Sequence, residues 1–186
     1  MAEELVEITI LGRGGQGAVT TAELMAVAAY KNGKEAQAFP YFGVERRGAP
    51  VRAFCRISEK HIKLHQHIYH PKMIIVLDDS LLSNTSMFDK LADGGMIIVA
   101  SKKKPEELKK ELAALKNKYK LYSVDAYSIA REEIGKPIVN TALLGAFAKI
   151  TKLVKVENLK EAVMERFKEP IASKNAKALQ RCYDAA

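Results

Sequence analysis

The sequence contains few cysteines, and this scarcity excludes several kinds of site. Its two cysteines, Cys55 and Cys182, lie far apart and form no C-x-x-C pair. They give no basis for an iron–sulfur cluster, a structural zinc site or a disulfide framework. We therefore expect no metal site built on cysteine.

The sequence also lacks any apolar run that approaches the length of a membrane span, about 20 residues. Its acidic start, residues 1–4, has no signal-peptide core. These absences predict a cytoplasmic protein with no membrane partner. The length of 186 residues, with 48% hydrophobic and 28% charged residues, is typical of an ordinary globular protein, and we predict a single domain over residues 1–186.

No nucleic-acid-binding motif accompanies the net charge of +8. The lysines are interleaved with glutamates on helix-like stretches, as in residues 106–111, which is typical of a solvated helix surface. No basic stripe interleaved with aromatic residues is present. We therefore expect no nucleic-acid partner.

A glycine-rich segment stands out near the start of the chain. Residues 12–17 read Gly12-Arg13-Gly14-Gly15-Gln16-Gly17, directly after an apolar run and directly before an amphipathic stretch. This order predicts a strand, a tight turn and a helix start, an arrangement that presents backbone N–H groups to a phosphate. The glycines could equally serve only to pack the helix closely against the strand.

Apolar periodicity predicts strands that alternate with helices along the chain. The predicted strands are 5–11, 34–39, 51–57, 73–77, 95–100 and 121–124, and the predicted helices are 16–31, 105–118, 126–134 and most of 138–186. The first strand–helix–strand unit predicts a parallel pair, and the half-buried strand 51–57 is expected to break an all-parallel order. The fold predicted is α/β, a three-layer Rossmann-like sheet that is mostly parallel with some mixed strand order.

The glycine turn does not match a nicotinamide site well. In such sites an acidic residue at the end of the second strand binds the ribose hydroxyls. Here that strand ends at Phe39-Pro40 with no carboxylate, and the next acid, Glu45, is followed by Arg46 and Arg47. NAD is disfavoured, whereas NADP or coenzyme A stays possible because arginine suits phosphate. The arginines could instead pair with Glu45 or dock a protein partner.

Two long segments carry a resemblance to a known family. Residues 12–20, GRGGQGAVT, and residues 37–51, QAFPYFGVERRGAPV, together resemble the gamma subunit of pyruvate:ferredoxin oxidoreductases. The similarity continues through the strand ending at Asp78, the Gly94-Gly95 turn and residues 140–146, so that it spans nearly the whole chain. It favours pyruvate as the substrate and leaves branched-chain 2-oxoacids open.

The resemblance implies one part of a larger enzyme. Such complexes decarboxylate a 2-oxoacid on thiamine diphosphate, pass electrons through iron–sulfur clusters to ferredoxin and release an acyl group on coenzyme A. The thiamine site and the clusters would belong to alpha, beta and delta-type partner subunits, and ferredoxin would be a partner only indirectly. This chain would supply no catalytic residue, would help to assemble the complex, and would bind or cover coenzyme A. The cofactor-binding residues implied are Gly12, Arg13, Gly14, Gly15, Gln16, Gly17, Arg46 and Arg47.

All four histidines, His61, His65, His67 and His70, fall within ten residues. A helix would place His61 and His65 on one face, and a strand would do so for His65 and His67. Either geometry could seed a metal site, but no recognised zinc spacing is present, so we expect a solvated loop and no metal.

Two alternatives to the subunit interpretation remain. The chain could be a stand-alone NADP-dependent oxidoreductase that uses the same glycine turn. It could also be a purely structural subunit whose glycines contact a neighbouring protein.

Overall fold

The computed structural model describes residues 5–41 and 48–186, in which strands alternate with helices. The strands are β1 Val6–Arg13, β2 Glu35–Pro40, β3 Pro50–Ser58, β4 Met73–Val76, β5 Gly95–Ala100 and β6 Tyr119–Val124. The helices are α1 Ala18–Lys31, α2 Pro105–Glu111, α3 Ala126–Ile134, α4 Leu143–Thr151, α5 Val156–Arg166 and α6 Ile171–Ala185. Short 3-10 helices lie at Asp79–Ser83 and Thr85–Met87.

The described strands form one sheet in the order β2-β3-β1-β4-β5-β6. β1, β4, β5 and β6 are parallel neighbours, whereas β3 runs antiparallel to both β1 and β2. The predicted mostly parallel sheet with mixed order is thus confirmed. The prediction that the strand near 51–57 breaks the all-parallel order is confirmed as well. The predicted parallel pairing of the first two strands is wrong, because β3 lies between them. Only residues 41–49 separate β2 from β3, and so short a connection suits an antiparallel hairpin.

The sheet is covered on both faces, which confirms the three predicted layers. One face packs on α1, α3, α4, α5 and α6, and the other packs on the 3-10 helices and α2. Neighbouring residues of β4 serve both faces, since Ile75 belongs to the first apolar cluster and Ile74 to the second. A strand buried on both faces is apolar throughout, which explains the continuous run in β4.

β3 differs from the half-buried strand that its alternating sequence predicts. Phe54 is 3% exposed and Arg56 is fully buried, so both faces of its later half are covered. The Arg56 guanidinium donates to the Glu7 carboxylate at 2.9 Å and to the Gln66 carbonyl at 2.7 Å. Because a carboxylate and a carbonyl compensate it, the arginine can lie inside and anchor the segment 59–72 onto the sheet.

α2 is shorter than the predicted helix 105–118. The chain leaves the helix after Glu111, and two side chains hold the following residues elsewhere. Asn117 donates to the Leu91 carbonyl at 2.5 Å, and Asp93 accepts from the Lys118 N–H at 2.9 Å. Tertiary hydrogen bonds therefore outweigh the local helical pattern in this segment.

The C-terminal stretch predicted to be helical forms α4, α5 and α6, with α4 packed closely against α6. A Cβ built on Gly145 would lie 1.9 Å from the Leu179 carbonyl oxygen and 2.7 Å from the Tyr183 nitrogen. Only a glycine allows the two backbones to approach so closely. None of the helices in the described part of the chain combines the length and the apolar character that a membrane span requires.

Replacement of this glycine should separate α4 from α6. We expect Gly145→Ala to lower the free energy of unfolding by about 3 kcal/mol, the upper end of the usual overpacking cost, because the added methyl meets backbone atoms. Urea denaturation of the purified chain measures the effect. Lys177→Ala, an exposed change on α6, should stay within about 0.5 kcal/mol of the wild type. Equal stability of the two variants would contradict this account of the helix contact.

Candidate functional site

The glycine turn lies where the sheet changes the side to which its connections run. After β1 the chain enters α1 on one face, whereas after the neighbouring parallel strand β4 it enters the 3-10 helix on the other face. The connections that leave the carboxyl ends of the two strands therefore run to opposite faces of the sheet. Such a switch point is where open α/β sheets place their ligands.

The turn itself combines two glycines of different character. Gly15 has φ +93° and a Cβ added there would meet nothing within 4 Å, so its backbone faces open space. Gly17 has φ +83°, and a Cβ there would lie 2.5 Å from the Asn140 amide nitrogen. Gly15 is required by its left-handed conformation alone, whereas Gly17 is also required by packing.

The Arg13 side chain extends from the end of β1 to the segments that follow β4 and precede β3. Its Nε lies 3.2 Å from Asp78 Oδ2. Its Nη2 donates to Ser80 Oγ at 2.7 Å, and its Nη1 donates to the Gly48 carbonyl at 3.1 Å. The guanidinium therefore ties the end of β1 to the segment after β4 and to the segment before β3.

Gln16 connects the same elements from within the turn. Its Oε1 accepts from the Arg13 N–H at 2.7 Å, and its Nε2 donates to Asp78 Oδ2 at 2.9 Å. Asp78 also caps the 3-10 helix by accepting from the Ser80 N–H at 3.1 Å. The carboxylate of Asp78 is thus the common acceptor for both loops.

The pKa of Asp78 reflects this crowding of donors. Burial by itself would raise the pKa, but hydrogen bonds from Ser80 and Gln16 and the charge of Arg13 outweigh it and hold the pKa below its ordinary value. Tyr127 lies nearby and donates to the Leu77 carbonyl at 2.7 Å. Burial, aided by the carboxylates of Asp78 and Asp79, raises the pKa of Tyr127 to about 12. At neutral pH the site therefore holds an ionised Asp78 and a protonated Tyr127.

The two segments that carry the resemblance meet at this point. Gly14 donates its N–H to the Ala49 carbonyl at 2.8 Å, and Gly48 donates to the Gly14 carbonyl at 3.2 Å. The glycine motif is therefore fixed against the residues that directly precede β3. Arg46 and Arg47, the remaining candidate residues, lie outside the described residues.

The start of α1 offers backbone donors at the same place. Gly17 makes no side-chain cap, and the first turn of the helix contains no acidic residue. The first N–H groups of a helix have no intrahelical partner and carry the positive end of its dipole. Together with the Arg13 guanidinium they can bind a phosphate or a carboxylate.

The strand order argues against a nicotinamide site in addition to the missing acid. In dinucleotide-binding folds the second strand adjoins the first, and its end lies beside the ribose. Here β3 lies between β1 and β2, and the end of β2 is displaced by the width of one strand. The sequence did not reveal this displacement.

The histidine segment does not take either geometry considered for a metal site. Residues 59–72 form neither a helix nor a strand in this structure. His61 is exposed beside Glu35, whereas His67 packs among aromatic rings. Within residues 5–41 and 48–186, no three histidine, cysteine, aspartate or glutamate residues are grouped so that they could hold a metal ion.

Sequence reasoning did not reveal that Asp78 and Ser80 contact Arg13. Both follow β4, and a signal was present, since β4 is apolar throughout and its first polar residues come at Asp78-Asp79-Ser80. Their pairing with Arg13 required knowledge that β4 lies directly beside β1.

The lowered pKa of Asp78 gives a pH-dependent test. A carboxylate with a lowered folded pKa contributes stability above its unfolded pKa of about 3.9, and that contribution is lost as the pH falls through the folded pKa. Asp78→Asn should therefore unfold at lower urea than the wild type at pH 7, and the difference should shrink below about pH 4. Asparagine can still cap the 3-10 helix.

The control for this series is Asp89→Asn, a change at an exposed position. It should follow the wild type at every pH. A difference between Asp78→Asn and the wild type that stays constant from pH 7 to pH 3 would contradict the charge-based account.

Comparison with known proteins places this geometry in a family. The family model for pyruvate ferredoxin/flavodoxin oxidoreductase matches residues 7–185. The pyruvate/ketoisovalerate oxidoreductases common subunit gamma of Thermococcus kodakarensis is 51% identical over 180 residues, which cover 97% of this chain and 96% of the relative. The pyruvate synthase subunit PorC of Methanocaldococcus jannaschii is 45% identical over 180 residues, with coverage of 97% and 96%.

A solved structure agrees with these relatives. The crystal structure of the pyruvate oxidoreductase subunit PORC from Thermotoga maritima superposes with a TM-score of 0.85 and 34% identity, covering 98% of this chain and 97% of that one. The chain therefore belongs to the pyruvate ferredoxin/flavodoxin oxidoreductase family, and the resemblance to its gamma subunits that the glycine and arginine motifs carry is confirmed along nearly its whole length.

Proposed function

We propose that this chain completes a pyruvate, or related 2-oxoacid, ferredoxin oxidoreductase and covers coenzyme A with its glycine turn. Alpha, beta and delta-type subunits would hold the thiamine diphosphate and the iron–sulfur clusters, and electrons would leave from them to ferredoxin. The names of its gamma and PorC relatives support the subunit assignment.

The cysteines of this chain do not fit an iron–sulfur cluster. A cluster takes thiolate ligands, usually from four cysteines, and the chain has two. Both are buried, and burial raises the pKa of each thiol to about 12. Residues of this chain would therefore position coenzyme A without carrying electrons.

The observation that carries the proposal is that the glycine turn joins Arg13, whose side chain lies at the switch point, to the start of α1 through the open backbone of Gly15. A phosphate that enters there would meet helix N–H groups and a guanidinium at the switch point. Asp78 holds the guanidinium at 3.2 Å, so that a phosphate would compete with this carboxylate for Arg13. Asp78 would thus position the arginine for its ligand.

Loss of the guanidinium should weaken coenzyme A binding in the assembled complex. We expect Arg13→Ala to raise the KM for coenzyme A about tenfold or more, since a charge-assisted hydrogen bond contributes about 1.5–3 kcal/mol. The KM for the 2-oxoacid should stay near that of the wild type. Steady-state kinetics of the complex purified through a tag on this chain measure both constants.

Arg131→Ala is the matched control, because Arg131 is exposed on α3 outside this site. It should leave both constants unchanged. If Arg13→Ala prevented recovery of the partner subunits, the purely structural alternative would be favoured. If the complex assembled and its KM for coenzyme A were normal, the ligand-covering role would be wrong.

The subunit assignment has its own test. A tagged chain recovered gently from its native cells should bring down thiamine-diphosphate-binding and iron–sulfur subunits, while the chain purified alone should not oxidise pyruvate. Mass spectrometry and a ferredoxin- or viologen-reduction assay measure these outcomes. A monomer without partners that binds NADP tightly and transfers hydride would instead support the stand-alone oxidoreductase.

The relatives also bear on the choice of substrate. The Thermococcus kodakarensis relative is named as a subunit common to pyruvate and ketoisovalerate oxidoreductases. We infer that this chain likewise leaves the choice of 2-oxoacid to its partners and contributes the part of the site that both reactions share, the coenzyme A side. Recovery of two distinct thiamine-binding subunits in the same pull-down would support this inference, and recovery of one would oppose it.

A further inference from the structure

A cavity lined by aromatic rings lies on the face of the sheet opposite α1. It measures about 310 Å³ and is bounded by β1, β3, the segment 59–72 and the second 3-10 helix. This volume lies at the lower end of the range of about 300–1,000 Å³ that small-molecule sites occupy. The residues that matter here, which we call the aromatic pocket, are Tyr41, Arg52, Phe54, His67, Tyr69 and Lys90.

The rings of the aromatic pocket contact one another in a cluster. The His67 ring centre lies 5.3 Å from that of Tyr41 and 5.8 Å from that of Phe54. Tyr41 and Phe54 meet edge to face at 6.1 Å. Tyr69, on the same wall, is half exposed. Ring faces at a cavity wall are suited to stack a planar ligand.

The charged residues among the described lining of the aromatic pocket are cations. They are Arg52 and Lys90, and none of the described lining residues is a carboxylate. Lys90 lies 5.7 Å from the centre of the Tyr69 ring. Among the described residues neither cation has an acidic side chain within ion-pair distance, in contrast to Arg13 and Arg56. Cations without acidic partners beside aromatic faces favour a planar ligand that carries negative charge.

The wall that bears His67 and Tyr69 is held in place from beneath. Buried Arg56 donates to the Gln66 carbonyl at 2.7 Å, directly before His67. The same guanidinium lies 5.1 Å from the Phe39 ring centre and is paired with Glu7. The segment is thus anchored to the sheet without a helix or strand of its own, and contacts within the protein fix this wall of the pocket.

The aromatic pocket is close to the glycine turn along the sheet. Arg52 pairs with Leu11, the residue before Gly12. Opposed residues of an antiparallel pair point to the same face, so the Arg52 side chain lies on the face opposite α1, where Leu11 is packed. A ligand with phosphates at the glycine turn could therefore extend over the end of β1 into this pocket.

We propose that the aromatic pocket binds the adenine nucleotide end of coenzyme A, with the base against the rings and the 3′-phosphate at Arg52 and Lys90. This inference rests on the proposed function, which supplies coenzyme A as the ligand. Coenzyme A carries a phosphate on its ribose in addition to its pyrophosphate. Among the described residues the glycine turn has one guanidinium, which is shared with Asp78, and Arg52 and Lys90 supply further positive charge for the additional phosphate.

The test uses calorimetric titration of the complex, purified through a tag on this chain, with coenzyme A and with adenosine 3′,5′-bisphosphate. Tyr69→Ala and Lys90→Gln should each raise the Kd for both ligands about five- to tenfold, as expected for loss of one stacking or ionic contact. Both residues are exposed, so the fold should tolerate the changes. Tyr30→Ala and Lys116→Gln, at exposed positions outside the pocket, are the matched controls and should bind as the wild type does.

The outcomes separate this inference from the proposed function. Coenzyme A binding that is weakened by Arg13→Ala but not by either pocket variant would overturn the pocket assignment and leave the proposed function intact. Binding of the bisphosphate without binding of coenzyme A would overturn the coenzyme A assignment together with the proposed function. Failure of both ligands to bind the wild-type complex would overturn both.

Discussion

The carboxylate of Asp78 is the interaction on which the arrangement of the site depends. It lies at the end of β4 and receives Arg13 and Gln16 from the end of β1 and Ser80 from its own turn. Without it, the Arg13 guanidinium would lose the carboxylate that compensates its charge, and the two loops would share no common acceptor. With it, the switch point between the two strands is closed by a compensated charge pair. An anionic ligand can bind there by replacing the Asp78 carboxylate as the acceptor for the Arg13 guanidinium.

The position of β3 explains why a glycine motif of the dinucleotide type need not bind a dinucleotide. β3 pairs with β1 along its whole length and separates it from β2. The end of β3 nearest the glycine turn brings Gly48 and Ala49 against Gly14, where a nicotinamide-binding fold would present the ribose acid. The same insertion places Arg52 beside Leu11 and so creates the floor of the aromatic pocket. The position of β3 therefore displaces the strand end that would bind a ribose, and it also forms part of the aromatic pocket.

Much of the fold could be predicted from the sequence because its signals are local. The glycine turn, the apolar runs of β4 and β5 and the stop at Gly135 depend on residues close together in the chain. Contacts between distant segments could not be predicted in this way. The burial of Arg56 depends on Glu7 and Gln66, and the early end of α2 depends on Leu91 and Asp93. For the site, the sequence predicted the glycine turn but not the contact between Arg13 and Asp78. That contact depends on the order of the strands, which is not a local property of the sequence.

The segment 140–146 shows that resemblance between motifs need not mean contact with a ligand. Asn140 packs where a side chain on Gly17 would lie, and the Thr21 hydroxyl donates to its backbone carbonyl at 3.3 Å. Gly145, in the same segment, allows α4 to meet α6. This segment thus fixes the start of α1 from the side facing the other helices. The two glycines of the turn are therefore divided in role: Gly17 belongs to the packing of the helical layer, and Gly15, with open space around it, is where a ligand can approach the backbone.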